Sequence, residues 1–145
     1  MGGGKMIKSR RKARQAALQA LYWTASVGDP VQQTAQTMCI RARLSASTSD
    51  FAINLAQTAW EHREELDASI EPVLENWSLD RVSRIDRIVL WMALAEMRYF
   101  KDIPYKVSID EAIELAKQFS EANASNFING ILDTLSRMNA EQPNG

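Results

Sequence analysis

Apolar residues in this chain recur every three to four positions rather than every two, and only six glycines and four prolines interrupt the pattern over 145 residues. A period near 3.6 buries one stripe of a helix, whereas a strand needs strict alternation, so the pattern predicts an all-α chain. Its length is that of one ordinary domain. At 46% apolar residues the chain has the material for a core, and composition gives no argument for disorder. Cys39 and His62 are the single cysteine and histidine. Neither a disulfide nor a Cys/His zinc cluster can therefore form within one chain, and no metal or cofactor is expected. The lack of an 18-residue apolar run, and of an apolar leader after Met1, predicts a soluble cytoplasmic protein that does not enter a membrane.

The punctuation divides the chain into helices. Ser9 is read as the cap of a first helix running to about Val27 and closed by Gly28, Asp29 and Pro30. A weaker second helix carries Val31, Ala35, Met38 and Ala42. Residues 45–49 read as a loop, with Asp50 capping a third helix whose stripe is Phe51, Leu55, Ala59 and Leu66. A short fourth helix follows, which Pro72 either starts or kinks. Residues 80–100 form the most apolar helix, apolar around most of its circumference and so expected in the middle of the fold. Ser108, with Glu111 three residues on, is a capping box opening the next helix. The last helix starts near Asn123 or Ser125 and carries Phe127, Ile128, Ile131, Leu132, Leu135 and Met138. Asn129-Gly130 is also a hairpin signal, but the helical spacing continues through it, and Gly130 is expected to admit a closely packed backbone. Residues 1–8 are expected to form a flexible basic N-terminal arm, 9–139 the helical domain, and 140–145 a polar tail.

Charge is unevenly distributed. Lys5, Lys8, Arg10, Arg11, Lys12 and Arg14 all precede the first acid, Asp29, while the rest of the chain holds 11 bases against 18 acids. At 100° per residue, Lys8, Arg11, Lys12, Gln15, Gln19 and Tyr22 fall within an arc of roughly 100°, opposite Ala13, Ala17 and Leu21, and Arg10 and Arg14 are taken to flank them. Such a face combines cations for phosphate, amides for base edges and a ring on which an unpaired base can stack. The ordinary alternative is a solvated helix face. Asp80 and Asp86, after Glu61, Glu64, Glu65, Asp67, Glu71 and Glu75, make an acidic region that repels phosphate and suits a basic protein partner.

Enzyme signatures are thin. Glu96, on the buried side of the central helix, reads as a structural carboxylate because no second catalytic group accompanies it. His62 with Ser69 or Ser78 is a combination that any helical protein with one histidine offers. Cys39 reads as a small apolar residue. Trp91 projects away from the main apolar face and is a candidate interface residue. No catalytic residues are assigned.

Three blocks carry a family resemblance. The first is Arg10-Arg11-Lys12-Ala13-Arg14 followed by Ala17-Leu18-Gln19-Ala20-Leu21-Tyr22. The second runs from Trp77 through Arg81, Ile85-Asp86-Arg87 and Leu90 to Ala95-Glu96-Met97. The third runs from Ile103-Pro104-Tyr105-Lys106-Val107-Ser108 through Asp110-Glu111-Ala112 and Leu115-Ala116-Lys117 to Phe127-Ile128-Asn129-Gly130-Ile131-Leu132-Asp133. Together they resemble the NusB transcription antitermination factors of bacteria, over nearly the whole chain. The resemblance implies about seven helices in two packed helical bundles forming one compact domain. It also implies pairing with NusE, a small-subunit ribosomal protein. The pair is expected to bind boxA RNA so that RNA polymerase, with other Nus factors, resists termination on ribosomal RNA operons. Carried over by position, the RNA-binding residues are Lys8, Arg10, Arg11, Lys12, Arg14, Gln19, Tyr22, Asn123 and Phe127, and the NusE-binding residues are Asp80 and Asp86. The free protein is open to a homodimer. Trp91 stands where the family usually has arginine, and residues 29–49 resemble the family poorly. The alternative function is a helical protein-interaction adaptor without boxA specificity.

Overall fold

A computed structural model describes residues 2–75 and 78–141 of the chain, so Trp77 and residues 142–145 of the expected tail lie outside it. The described residues form seven α-helices and no strand: α1 (Gly2–Val27), α2 (Val31–Arg41), α3 (Ala46–Glu61), α4 (Arg63–Ile70), α5 (Arg84–Tyr99), α6 (Tyr105–Phe119) and α7 (Ala124–Glu141). Two compact units, Met1–Glu61 and His62–Gly145, correspond to the two bundles expected from the resemblance. None of the described helices is long and apolar enough to cross a membrane.

The division of the chain is also a division of charge. Eight cations, Lys5, Lys8, Arg10, Arg11, Lys12, Arg14, Arg41 and Arg43, belong to the first unit against three acids, Asp29, Asp50 and Glu61. The remaining nine cations and fifteen acids belong to the second.

In the first unit α1 packs on α2 and α3, which also pack on each other. Ala13, Ala16, Ala17, Leu18, Ala20 and Leu21 are buried, and the small residues among them allow close approach. Ala13 and Ala16 meet Cys39 of α2 and Ala52 of α3, with Phe51 and Leu44 packed against them. Cys39 is thus the small core residue its sequence context predicts, and burial raises its thiol pKa. The helix starts at Gly2, so Ser9 lies within it rather than capping it, and the segment expected as an arm is helical from Gly2 on. Propagation needs only one further hydrogen bond per residue fixed, and the residues before Ser9 contain no proline to stop it.

At its other end α1 closes as expected. Gly28 adopts φ +92° and donates its N–H to the Thr24 carbonyl at 2.9 Å, while the Trp23 indole donates to Asp29 Oδ2 at 2.9 Å. Arg43 supplies the left-handed residue that ends α2, at φ 55°, with Leu44 N–H donating to the Cys39 carbonyl at 3.1 Å in a Schellman pattern. The third helix starts at Ala46, earlier than Asp50, because the Ser45 hydroxyl accepts from Thr48 N–H at 3.3 Å and so satisfies a first-turn amide.

The second unit is built around α5, which touches α4, α6 and α7. Its residues from Ile88 through Met97 are all buried, as expected of a helix apolar nearly all round. Ser83 caps it, accepting from Asp86 N–H at 3.2 Å. Leu66 belongs to α4 rather than α3, since the chain breaks at His62. Pro72 neither starts nor kinks α4. It follows the helix, in a 3₁₀ turn at Glu71–Val73, where its missing N–H costs nothing. The expected capping box at Ser108 and Glu111 is not formed: α6 begins at Tyr105 after Pro104, and Ser108 Oγ donates instead to the buried Glu96 carboxylate at 2.8 Å. Because the helix starts a turn earlier, Ser108 lies inside it and has no first-turn amide to accept from, while its O–H serves a buried carboxylate that would be costly to leave without donors. Gly130 sits inside α7, yet a Cβ there would meet nothing within 4 Å, so no close backbone explains it.

Candidate nucleic-acid interface

Lys8, Arg11, Lys12, Gln19 and Tyr22 are exposed on α1, with Gln15 half-buried among them and the Tyr22 ring 42% exposed. The helical period alone aligns them. The opposite face is occupied by the buried alanines and Leu21. One side of a 26-residue helix therefore presents three cations, an amide and an aromatic ring to solvent.

Arg10 and Arg14 depart from the expected arrangement. Their guanidiniums lie 4.6 Å and 5.4 Å from the Phe51 ring centroid, and Arg14 is only 3% exposed. Positions 10, 14, 17 and 21 advance by four, three and four, which returns to one side of a helix, so these arginines share the Ala17 and Leu21 face. They brace α1 on α3 through cation–π contacts. Spacing assigns them to that face of the helix; that they cover Phe51 rather than face water is a result of tertiary packing.

The second unit holds the remaining expected residues. Asn123, between α6 and α7, and Phe127 of α7 line a cavity of about 550 Å³ together with Arg81, Ser83, Asp86 and Ser120. Ser120 Oγ donates to Asp86 Oδ1 at 2.6 Å, tying the end of α6 to the start of α5. Asp86, assigned from sequence to a protein partner, thus shares a cavity with Asn123 and Phe127, assigned to RNA. Asp80 lines a separate depression of about 430 Å³ with Glu64, Asp67, Glu71 and Arg87. The Arg87 guanidinium is held in its charged form chiefly by the hydrogen-bonded Asp67 carboxylate, against the opposing effect of burial and with help from Asp80 and Glu71. Sequence reasoning missed Arg81, Ser83 and Ser120. A serine immediately before an apolar helix, with an acid three residues on, was the available signal for Ser83.

Among the described residues, His62 is engaged by Tyr99 and Glu65 rather than by Ser69. Its ring stacks on Tyr99 with centroids 4.3 Å apart, and its Nδ1 lies 3.3 Å from Glu65 Oε2, while Ser69 accepts from Arg98 at 2.5 Å. No group of three or more His, Cys, Asp or Glu residues among the described residues is arranged to hold a metal ion.

The NusB family profile matches residues 11–137. The chain belongs to the NusB family. Its curated relatives carry the name transcription antitermination protein. Transcription antitermination protein NusB of Symbiobacterium thermophilum is 41% identical over 137 residues, covering 89% of this chain and 90% of that protein. A solved structure of NusB from T. maritima superposes with a TM-score of 0.82 at 34% identity, covering 88% of this chain and 90% of that one. A chain in a crystal structure of antitermination factors NusB and NusE in complex with double-stranded RNA gives a TM-score of 0.81. It covers 90% of this chain and 98% of its own and, at 24% identity, is a likeness of fold.

Within this NusB-family chain, Trp91 is not the exposed interface residue its projection predicts. It is 6% exposed, and its indole N–H donates to Asp67 Oδ1 at 2.6 Å. Arg87 donates to both oxygens of the same carboxylate, at 3.1 Å and 2.6 Å. The indole therefore supplies a third donor to Asp67 at the position where the resemblance expects arginine.

Proposed function

We propose that this protein pairs with NusE and binds boxA RNA, so that RNA polymerase, acting with other Nus factors, transcribes ribosomal RNA operons processively. The observation that carries this reading is the exposed face of α1, where Lys8, Arg11 and Lys12 accompany Gln19 and Tyr22. Cations on such a face bind phosphates, and the ring offers a stacking surface for an unpaired base. Asn123 and Phe127 are the second contribution to RNA, and Asp80 and Asp86 contribute to NusE. Arg10 and Arg14 act on RNA by holding α1 in place over Phe51 rather than as exposed cations. The reading draws support from the relatives named for transcription antitermination and from the fold shared with a chain solved beside NusE and double-stranded RNA. Residues 9–139 are the RNA-binding domain in this reading, the site of action is the cytoplasm, and the free protein is open to self-association.

The test is binding of labelled boxA RNA and a scrambled control, with and without NusE, at two salt concentrations. Preferential boxA binding strengthened by NusE is expected, with affinity falling by roughly 0.7 logarithmic units per phosphate contact for each tenfold rise in salt. Equal binding to both RNAs would overturn boxA recognition and leave an adaptor with a generic basic face.

A further inference from the structure

Residues 30–49 contain no acid at all. On α2 the buried side is formed by Thr34, Ala35 and Cys39. The outer side exposes Gln33, Gln36 and Ile40, spaced three and four apart, and Ile40 is 76% exposed. Arg41 and Arg43 follow at its end, both exposed. The one acid between Met1 and Ser49 is Asp29, engaged by the Trp23 indole. This face therefore repeats the chemistry of the α1 stripe: amides, cations and an apolar surface.

It also adjoins that stripe. Thr34 Oγ1 donates to the Ala20 carbonyl at 3.2 Å and is 2.8 Å from the Thr24 hydroxyl, whereas Cys39 clusters with Ala13 and Ala16. The two helices are thus antiparallel, α2 lying on the alanine side of α1, and the Arg41 side chain meets the edge of the stripe at its Gln19–Tyr22 end. The Arg41 guanidinium is 5.7 Å from the ring centroid of Trp23, the residue after Tyr22 and four after Gln19.

We infer that the outer face of α2 is a second RNA-contacting surface, on which Arg41 and Arg43 hold the phosphates of single-stranded nucleotides flanking those bound on α1. The inference rests on the RNA-binding reading of α1. It commits to RNA because an acid-free, amide-bearing face whose Arg41 stands beside Trp23, next to Tyr22 of the stripe, complements a polyanion whose backbone runs on past one site.

The experiment compares a boxA oligonucleotide with the same RNA extended by flanking nucleotides, on the wild type and on the double variant Arg41→Gln, Arg43→Asn; asparagine tolerates the left-handed backbone at position 43. The wild type is expected to bind the extended RNA more tightly. The double variant keeps its affinity for the short RNA but loses that advantage, and its salt slope on the extended RNA falls by about 1.4, roughly 0.7 for each cation removed. Gln33→Glu with Gln36→Glu, on exposed helical positions that leave the core intact, should have the same selective effect. An extended RNA that binds no better than the short one, or an advantage that survives both sets of substitutions, overturns the inference and leaves the face to an acidic protein. Failure of the underlying reading is separate: there, Arg11→Ala leaves affinity for the short boxA RNA unchanged.

Discussion

The indole N–H of Trp91 donates to Asp67 Oδ1 at 2.6 Å, joining α5 to α4 from inside the second unit. Arg87, one turn earlier on α5, grips the same carboxylate with two donors, and its guanidinium lies 5.7 Å from the Trp91 ring centroid. Trp91→Phe keeps an aromatic ring but removes the donor together with the pyrrole part of the indole. It is expected to cost about 1–3 kcal/mol, the range for leaving a part-buried polar group short of a partner. Urea unfolding reads this directly, and a variant as stable as the wild type would show that Asp67 does not need its third donor.

Glu65 sits at the centre of an exposed cluster. The Tyr99 hydroxyl donates to its oxygens at 2.9 Å and 3.1 Å, and Arg98 approaches to 3.2 Å. The Tyr99 hydrogen bond is the main cause that lowers the Glu65 pKa, with partial burial opposing and His62 and Arg98 assisting. A carboxylate depressed in the folded state stabilises it above the ordinary carboxylate pKa, and that contribution disappears as pH falls through the folded value. Between neutral pH and pH 3 the melting temperature of the wild type should therefore fall more than that of Glu65→Gln. Parallel curves for the two proteins would contradict the assignment.

Gly130 is exposed in the interior of α7, and a Cβ there meets nothing within 4 Å. Gly130→Ala should stabilise the protein by about 0.5–1 kcal/mol by restricting the unfolded chain and favouring the helix. Gly28→Ala is expected to do the opposite, because φ +92° strains any residue with a Cβ, at a cost of about 1 kcal/mol. Paired denaturation curves test both signs.

Arg11 and Arg14 are three residues apart and are expected to behave differently. Arg11→Ala and Tyr22→Ala, at exposed positions, should weaken RNA binding and leave both the unfolding midpoint and NusE affinity unchanged. Arg14→Ala removes a buried guanidinium from over Phe51 and should lower stability by about 1–3 kcal/mol. If Arg14→Ala loses RNA affinity at full stability, its side chain reaches RNA and the bracing role is wrong. Asp86→Lys should reduce NusE affinity, and an unaltered affinity would remove Asp86 from the partner surface.

Helical class, the central place of α5 and the exposed stripe on α1 were all legible in the chain, because each depends on a period that the backbone itself imposes. Closure of α1 at Gly28 was legible for the same reason: a left-handed residue is needed where the helix ends, and glycine adopts that conformation at least cost. The fates of Ser45, Ser108, Trp91 and Arg14 were not. Serine can cap a helix or donate across one, and which it does depends on what the fold brings near: Ser45 found the amide of Thr48, and Ser108 found the buried Glu96 carboxylate. Trp91 and Arg14 are amphipathic side chains that can face water or cover a neighbour. Asp67 and Phe51, 24 and 37 residues away in sequence, decided it. Local spacing determined which residues share a helical face. Tertiary packing alone decided which polar groups on those faces are buried against partners and which remain exposed, because that choice is set by desolvation and by neighbours distant in the chain.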